Sequence, residues 1–128
     1  MSQKSLAIDE AKKLVKIMAG WKCEKCGKPV EGRSAHGAHI MPVTYAGTCA
    51  DPENLLCLCP GCHSMGPNSA HQQPQQYVYW LDETFPGRYE RVREKAIKYS
   101  QNPYPKIDWK EVRKENKKKL EELSEQST

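Results

Sequence analysis

The stretch NLLCLCPGCHSM, residues 54–65, opens on an asparagine, runs through a short apolar segment and ends on a CxxCH cluster. Upstream, CEKCGKPVEGRS at 23–34 supplies the other half of the pattern, a second CxxC closed by Gly27 and Pro29. Each CxxC turn presents two sulfurs to one point, and zinc prefers four such ligands in a tetrahedron. Cys23, Cys26, Cys59 and Cys62 therefore read as the ligands of a structural zinc, with iron in a rubredoxin-like site as the lesser alternative. A redox CxxC stands alone ahead of a helix in a βαβ unit, and no such unit is visible here. Cys57 reads as a buried free thiol, a small apolar group. Cys49 falls in a loop and receives no role.

Composition agrees with a stapled fold. The chain has 128 residues, 38% of them hydrophobic, and a single phenylalanine, so its core is expected to be small. Thin cores need disulfides or a metal. No apolar run approaches a membrane span, and the first twenty residues lack a signal peptide's apolar centre. A cytoplasmic location is expected, where thiols stay reduced and CxxC pairs bind metal. Twenty Lys and Arg stand against 16 Asp and Glu, a net charge of +4 that agrees with a polyanionic partner. The excess is local, with five bases and two acids in RYERVREKAIK at 88–98.

Helical spacing of Leu6, Ala7, Ala11, Leu14, Val15 and Met18 predicts an amphipathic helix over 5–18, with Lys12, Lys13 and Lys16 outward and Gly20 as its stop. AHIMPVTY at 38–45 and NLLCLC at 54–59 read as strands joined by AGTCADPE. Pro74 opens a helix that puts Tyr77, Trp80 and Leu81 on a core face. A second helix in 85–99 aligns Tyr89, Val92, Ala96 and Tyr99. QNPYPK reads as a linker, and Asp108 caps a last charged helix from Trp109, followed by a disordered end. Trp109, Val112, Asn116, Leu120 and Leu123 fall near one face, fit to pack on the domain, to pair with a second copy or to bind a protein partner. The expected division is an N-terminal helix over 1–20, a central domain over 21–100, and a linker with charged C-terminal helix over 101–128. The class is α+β.

CEKC at 23–26, AHIMP at 38–42, DPENLLCLCPGCH at 51–63 and AHQQPQQYVYWL at 70–81 together resemble the HNH (His-Asn-His) endonuclease family in its zinc-knuckle form, typical of phages and bacteria. The resemblance implies a small ββα-metal unit, a hairpin and helix gripping one divalent ion. His39 matches the general base that deprotonates the attacking water. Asn54 matches the asparagine that ties the hairpin's arms and aims the base. His63 matches a ligand of the catalytic metal, and His71 a further one, with SMGPNS as an insertion between them. That metal is expected to be Mg2+ or Mn2+, with Zn2+ or Ni2+ also suited to imidazole ligands. Many family members carry an acidic residue or histidine immediately before the base, and here that position is Ala38. His36, three residues before the base, fits either a ligand or a loop histidine, and the loop is the preferred reading. No basic residue follows the base among Met41, Pro42 and Val43, so Arg33 or Arg88 is assigned to the phosphate, with Arg91 and Lys95 extending a basic track.

The implied activity is hydrolysis of DNA phosphodiesters to a 5′-phosphate and a 3′-hydroxyl, in phage DNA processing, restriction or recombination. The rival readings are a non-catalytic zinc-ribbon module that grips nucleic acid, and an adaptor acting through the C-terminal helix.

Overall fold

Helix α1 spans Gln3–Met18, begun by Ser2, whose side chain accepts from the amide of Ser5. It stops at Gly20, whose left-handed backbone (φ 65°) a side chain would disfavour. The computed structural model describes residues 2–67, 69–102 and 106–126. After α1 the chain makes the first cysteine turn and enters β1, His36–His39, which pairs antiparallel with β2, Leu55–Leu58. His36 faces Leu58, Gly37 faces Cys57, Ala38 faces Leu56 and His39 faces Leu55. The first strand is earlier and shorter than AHIMPVTY predicts. Pro42 has no amide to give a ladder, and from there the chain turns, with Tyr45 donating to the Pro42 carbonyl and Thr48 to that of Tyr45.

The two faces of this sheet meet different partners, because side chains alternate along a strand. Leu55 packs with Ala11 and Val15 of α1. Ala38, Leu56 and Leu58 pack with Val30, Tyr77 and Leu81 on the other side. Helix α2, Pro74–Thr84, supplies Tyr77 and Leu81, and α3, Arg88–Ser100, follows with Val92 and Ala96 buried. Leu14, Leu55, Leu56, Leu58 and Leu81 are fully buried, each stabilising by about 1.5–3 kcal/mol relative to exposure. Five such leucines make a thin core for an α+β domain of this length.

Helix α4, Trp109–Gln126, packs its expected stripe on α1 of the same chain. Asn116, buried, donates from Nδ2 to the carbonyls of Ala50 (3.2 Å) and Ala7 (3.5 Å). Arg113 pairs with Glu10 at 2.9 Å. Half of the expected linker, residues 103–105, lies outside the described residues, as do residues 127 and 128 of the expected disordered end. No helix of the described residues is long and apolar enough to cross a membrane.

Candidate functional site

The first cysteine turn is tight. Gly27 donates to the carbonyl of Cys23, and Cys23 donates to that of Lys28, each at 2.8 Å. Glu24 locks this turn to β2: its amide donates to the Cys57 carbonyl at 2.9 Å and its carboxylate accepts from the Cys57 amide at 2.7 Å. The Sγ atoms of Cys23, Cys26, Cys59 and Cys62 lie within 4.8 Å of one another. Cys26 and Cys59 are 3.7 Å apart; four sulfurs at about 2.3 Å from a central zinc would stand about 3.8 Å from each other. The donor set fits the ion. Burial raises the Cys23 thiol, but amide hydrogen bonds from Cys26, Cys59 and Lys25 outweigh it and bring the pKa down to about 7. Burial and the neighbouring thiols of Cys59 and Cys23 push Cys62 well above the ordinary thiol range. Four crowded sulfurs resist shared ionisation unless a cation sits among them. Cys57 lies outside the group, on the strand face toward α1 opposite Gly37.

Past Cys59 the chain winds through a single π-helical turn, Gly61–Met65, which carries His63. The expected insertion SMGPNS includes residue 68, which lies outside the described residues; beyond it the chain returns to the π-helical turn. Ala70 donates to the Cys62 carbonyl at 2.9 Å and His71 donates to the His63 carbonyl at 3.1 Å, which sets the two imidazoles side by side. Nε2 of His63 is 3.1 Å from Nε2 of His71, and Nδ1 of His63 is 2.9 Å from Nδ1 of His36. His36 is thus no loop residue. It opens β1 and, two positions before Ala38, shares that residue's face of the strand. Each nitrogen pair has a spacing suited to two ligands of one ion, given metal–nitrogen bonds of about 2.0–2.1 Å. The pairs lie on opposite edges of the His63 ring, so the ring offers an ion one edge or the other. Burial, followed by the charges of His71, His36 and Lys12, lowers the His63 pKa to about 4, leaving the neutral form a metal requires.

Asn54 is buried and spends its whole amide on the loop between the strands. Its Oδ1 accepts from the Met41 amide at 2.7 Å, and its Nδ2 donates to the carbonyls of Met41 (3.1 Å) and Thr48 (3.0 Å). The residue after Thr48 is Cys49, whose carbonyl lies 2.8 Å from Nε2 of His39. A carbonyl can only accept, so Nε2 carries the hydrogen and the neutral ring keeps its lone pair on Nδ1. Burial, with a smaller push from Lys12, holds His39 below the ordinary histidine range, against an opposing pull from the Cys49 bond. His39 and His63 are not neighbours: His39 points to the α1 face of β1, and the three other histidines gather on the face of Ala38.

The expected basic track has other occupations. Arg88 donates from Nε to the Glu53 carbonyl (2.8 Å) and from its terminal nitrogen to the Leu55 carbonyl (2.9 Å), with its guanidinium over the Phe85 ring. Arg91 pairs with Glu53 and Lys95 with Asp51. Arg33 is exposed on the turn ahead of β1. Cations that the sequence reading passed over are placed more openly. Lys110, Lys114, Lys117 and Lys118 line one exposed groove of α4 and have no ion pair among the described residues. Lys12, expected to face outward, instead lies half-buried along Gly37 of β1. The signal for His36 was present in the two-residue period of a strand; nothing in the sequence pointed to the Cys49 carbonyl or to Lys12.

Residues 23–68 match the HNH endonuclease family. A protein named anaredoxin, from Nostoc sp. (strain PCC 7120), is 34% identical over 55 residues, which cover 43% of this chain and 68% of the relative. No solved structure matches the chain. With the four cysteines of the knuckle brought together and the histidine and asparagine signature inside the matched segment, the chain belongs to the HNH endonuclease family.

Proposed function

We propose that the protein is a metal-dependent endonuclease that hydrolyses DNA phosphodiesters, with His39 as general base. The observation that carries the reading is the pairing of an aimed, neutral imidazole on one face of β1 with an imidazole cluster on the other. In the family pattern a metal ligand directly precedes the base. Adjacent strand residues necessarily point to opposite faces, so base and metal meet only across a free strand edge. β1 has β2 on one side and no second strand among the described residues on the other. His36 takes the role that Ala38 cannot fill, from the same face, alongside His63 and His71.

In this reading Asn54 holds the loop, the Cys49 carbonyl holds Nε2–H, and Nδ1 of His39 takes the proton from the attacking water. His63 with His71 or His36 would hold a divalent ion, whether Mg2+, Mn2+, Zn2+ or Ni2+, which when bound would supply charge neutralisation at the scissile phosphate and at the leaving oxygen. A zinc held by the four cysteines would have no open position and would serve only the fold. The open lysines of α4 are assigned to the DNA backbone in place of Arg88, Arg91 and Lys95, whose donors are engaged within the chain. Arg33 keeps its assignment at the edge of the site.

The test is incubation of purified protein with plasmid and each of the four divalent ions, comparing wild type with His39→Ala. Nicking by wild type alone supports the reading; retained binding without cleavage in any metal replaces it with a non-catalytic zinc-ribbon module, a reading favoured by Ala38 and by the separation of His39 from His63.

A further inference from the structure

Lys12 lies along β1 instead of reaching out into solvent. An ideal Cβ on Gly37 would stand 2.5 Å from its Cγ, 3.0 Å from its Cβ and 3.1 Å from its Cδ. The stem of the lysine therefore fills the space that a side chain at 37 would occupy. Gly37 is not among the glycines with positive φ, so strand geometry would accept any residue there, and the need for glycine is one of room. The stem lies across β1 between His36 and His39, on the face that His39 shares. An open cavity of about 450 Å³ borders it, lined by Ser5, Ile8, Asp9, Lys12, His39 and Val43. Asp9 is the one carboxylate in that lining, and it makes no ion pair with Lys12. Lys12 and His39 both line that cavity, and they are its two basic side chains. A cation with its stem packed beside His39, and with no ion pair among the described residues, matches an anion bound on that side of the strand edge.

Resting on the nuclease reading, we propose that Lys12 is a catalytic residue that binds a non-bridging oxygen of the scissile phosphodiester, doing from helix α1 the work for which the segment after the base, Met41-Pro42-Val43, has no cation. The residue lies outside the 23–68 segment that matches the family, so the cation comes from a helix beyond the matched segment. Packing of the stem fixes the charge in advance, and a preorganised donor favours the transition state more than the bound substrate.

The test uses the zinc-loaded full chain with Lys12→Met, which keeps the stem, Lys12→Arg, and Gly37→Ala, which keeps the charge but displaces it. Two readouts are needed. The first is the slope of log affinity against log salt for a short DNA duplex, measured in a His39→Ala background so that nothing is cut. Lys12→Met is expected to reduce that slope by about 0.9, the contribution of one phosphate contact. The second is single-turnover cleavage, expected to fall on the order of 100-fold in Lys12→Met and Gly37→Ala and to recover in part in Lys12→Arg. An unchanged slope overturns the proposal. A reduced slope with wild-type cleavage also overturns it, since Lys12 would then meet a phosphate other than the one cut. If the wild-type chain cuts nothing, the nuclease reading fails by itself, and the proposal for the scissile phosphate falls with it even where the slope shows a phosphate contact.

Discussion

Asn54 and His39 are joined through one peptide unit of loop: Asn54 Nδ2 donates to the Thr48 carbonyl at 3.0 Å, and the next carbonyl, that of Cys49, receives Nε2–H of His39 at 2.8 Å. The asparagine does not touch the histidine. It fixes the strip of backbone that does. Asn54→Ala is accordingly expected to lower stability by about 2–4 kcal/mol, because three buried hydrogen bonds go and two carbonyls and an amide lose partners. Cleavage should fall as well, since the His39 ring loses its support. Asn54→Asp tests the mechanism more narrowly, as it keeps the acceptor for Met41 but cannot donate to Thr48. Urea titration and cleavage rates on the same samples check this, and a fully active Asn54→Asp protein would disconnect the loop from the base.

The pH dependence of cleavage follows from the burial of His39, which, with the smaller Lys12 contribution, holds its pKa below 6.5. A general base works in its neutral form, so a lowered pKa extends activity to lower pH. The acid limb of the cleavage profile should therefore break below pH 6.5 rather than above it. A break on the alkaline side of that value would assign the titration to another group.

Metal content should separate the two donor sets. Cys59→Ser is expected to unfold the chain, because structural zinc supplies about 10 kcal/mol or more of folding free energy in small zinc domains. His63→Ala should keep the zinc and the far-ultraviolet circular dichroism of the wild type and lose cleavage. His36→Ala should weaken binding of the second ion about 10-fold or more. A folded Cys59→Ser protein would mean that the cysteine cluster is not the staple, and a His36→Ala protein with wild-type ion affinity would leave that ring without a role in coordination.

Arginine 88 and the α4 lysines should behave as opposites. Arg88→Gln is expected to cost about 1.5–3 kcal/mol, since charged hydrogen bonds to the carbonyls of Glu53 and Leu55 are lost, with little change in DNA affinity. The combined change of Lys114, Lys117 and Lys118 to Gln should leave thermal stability close to wild type. It should reduce the salt slope of duplex binding by about 2.7, one contribution for each cation removed. Equal salt slopes for the two proteins would place the DNA on a different surface.

The sequence disclosed most where spacing is itself the chemistry. Two CxxC turns predict one tetrahedron of sulfurs, and the asparagine and histidines come in the order of the family. Helix α1 and the buried face of α2, Tyr77 and Leu81, were legible from periodicity, and so was the α4 stripe, although only the structure shows it packing on α1. Strand β1 was displaced, because the apolar letters of 38–45 run past Pro42 while the hydrogen-bonded segment starts at His36. Lys12 was misread for a related reason. Amphipathic patterning places a lysine on the wet side of its helix, but a glycine on a neighbouring strand gave its stem somewhere to lie. The Cys49 contribution comes from backbone, and backbone carbonyls carry no letter of their own.

Asn116 gives the final helix a second consequence. By donating to the Ala50 carbonyl it buttresses the loop one residue beyond Cys49, from a helix that begins only at Trp109. During synthesis the zinc ligands all leave the ribosome well before this buttress does. In the proposed nuclease the nascent domain would thus acquire its rivet first and the full aim of its cutting edge last, an order of assembly that would keep the unfinished chain blunt.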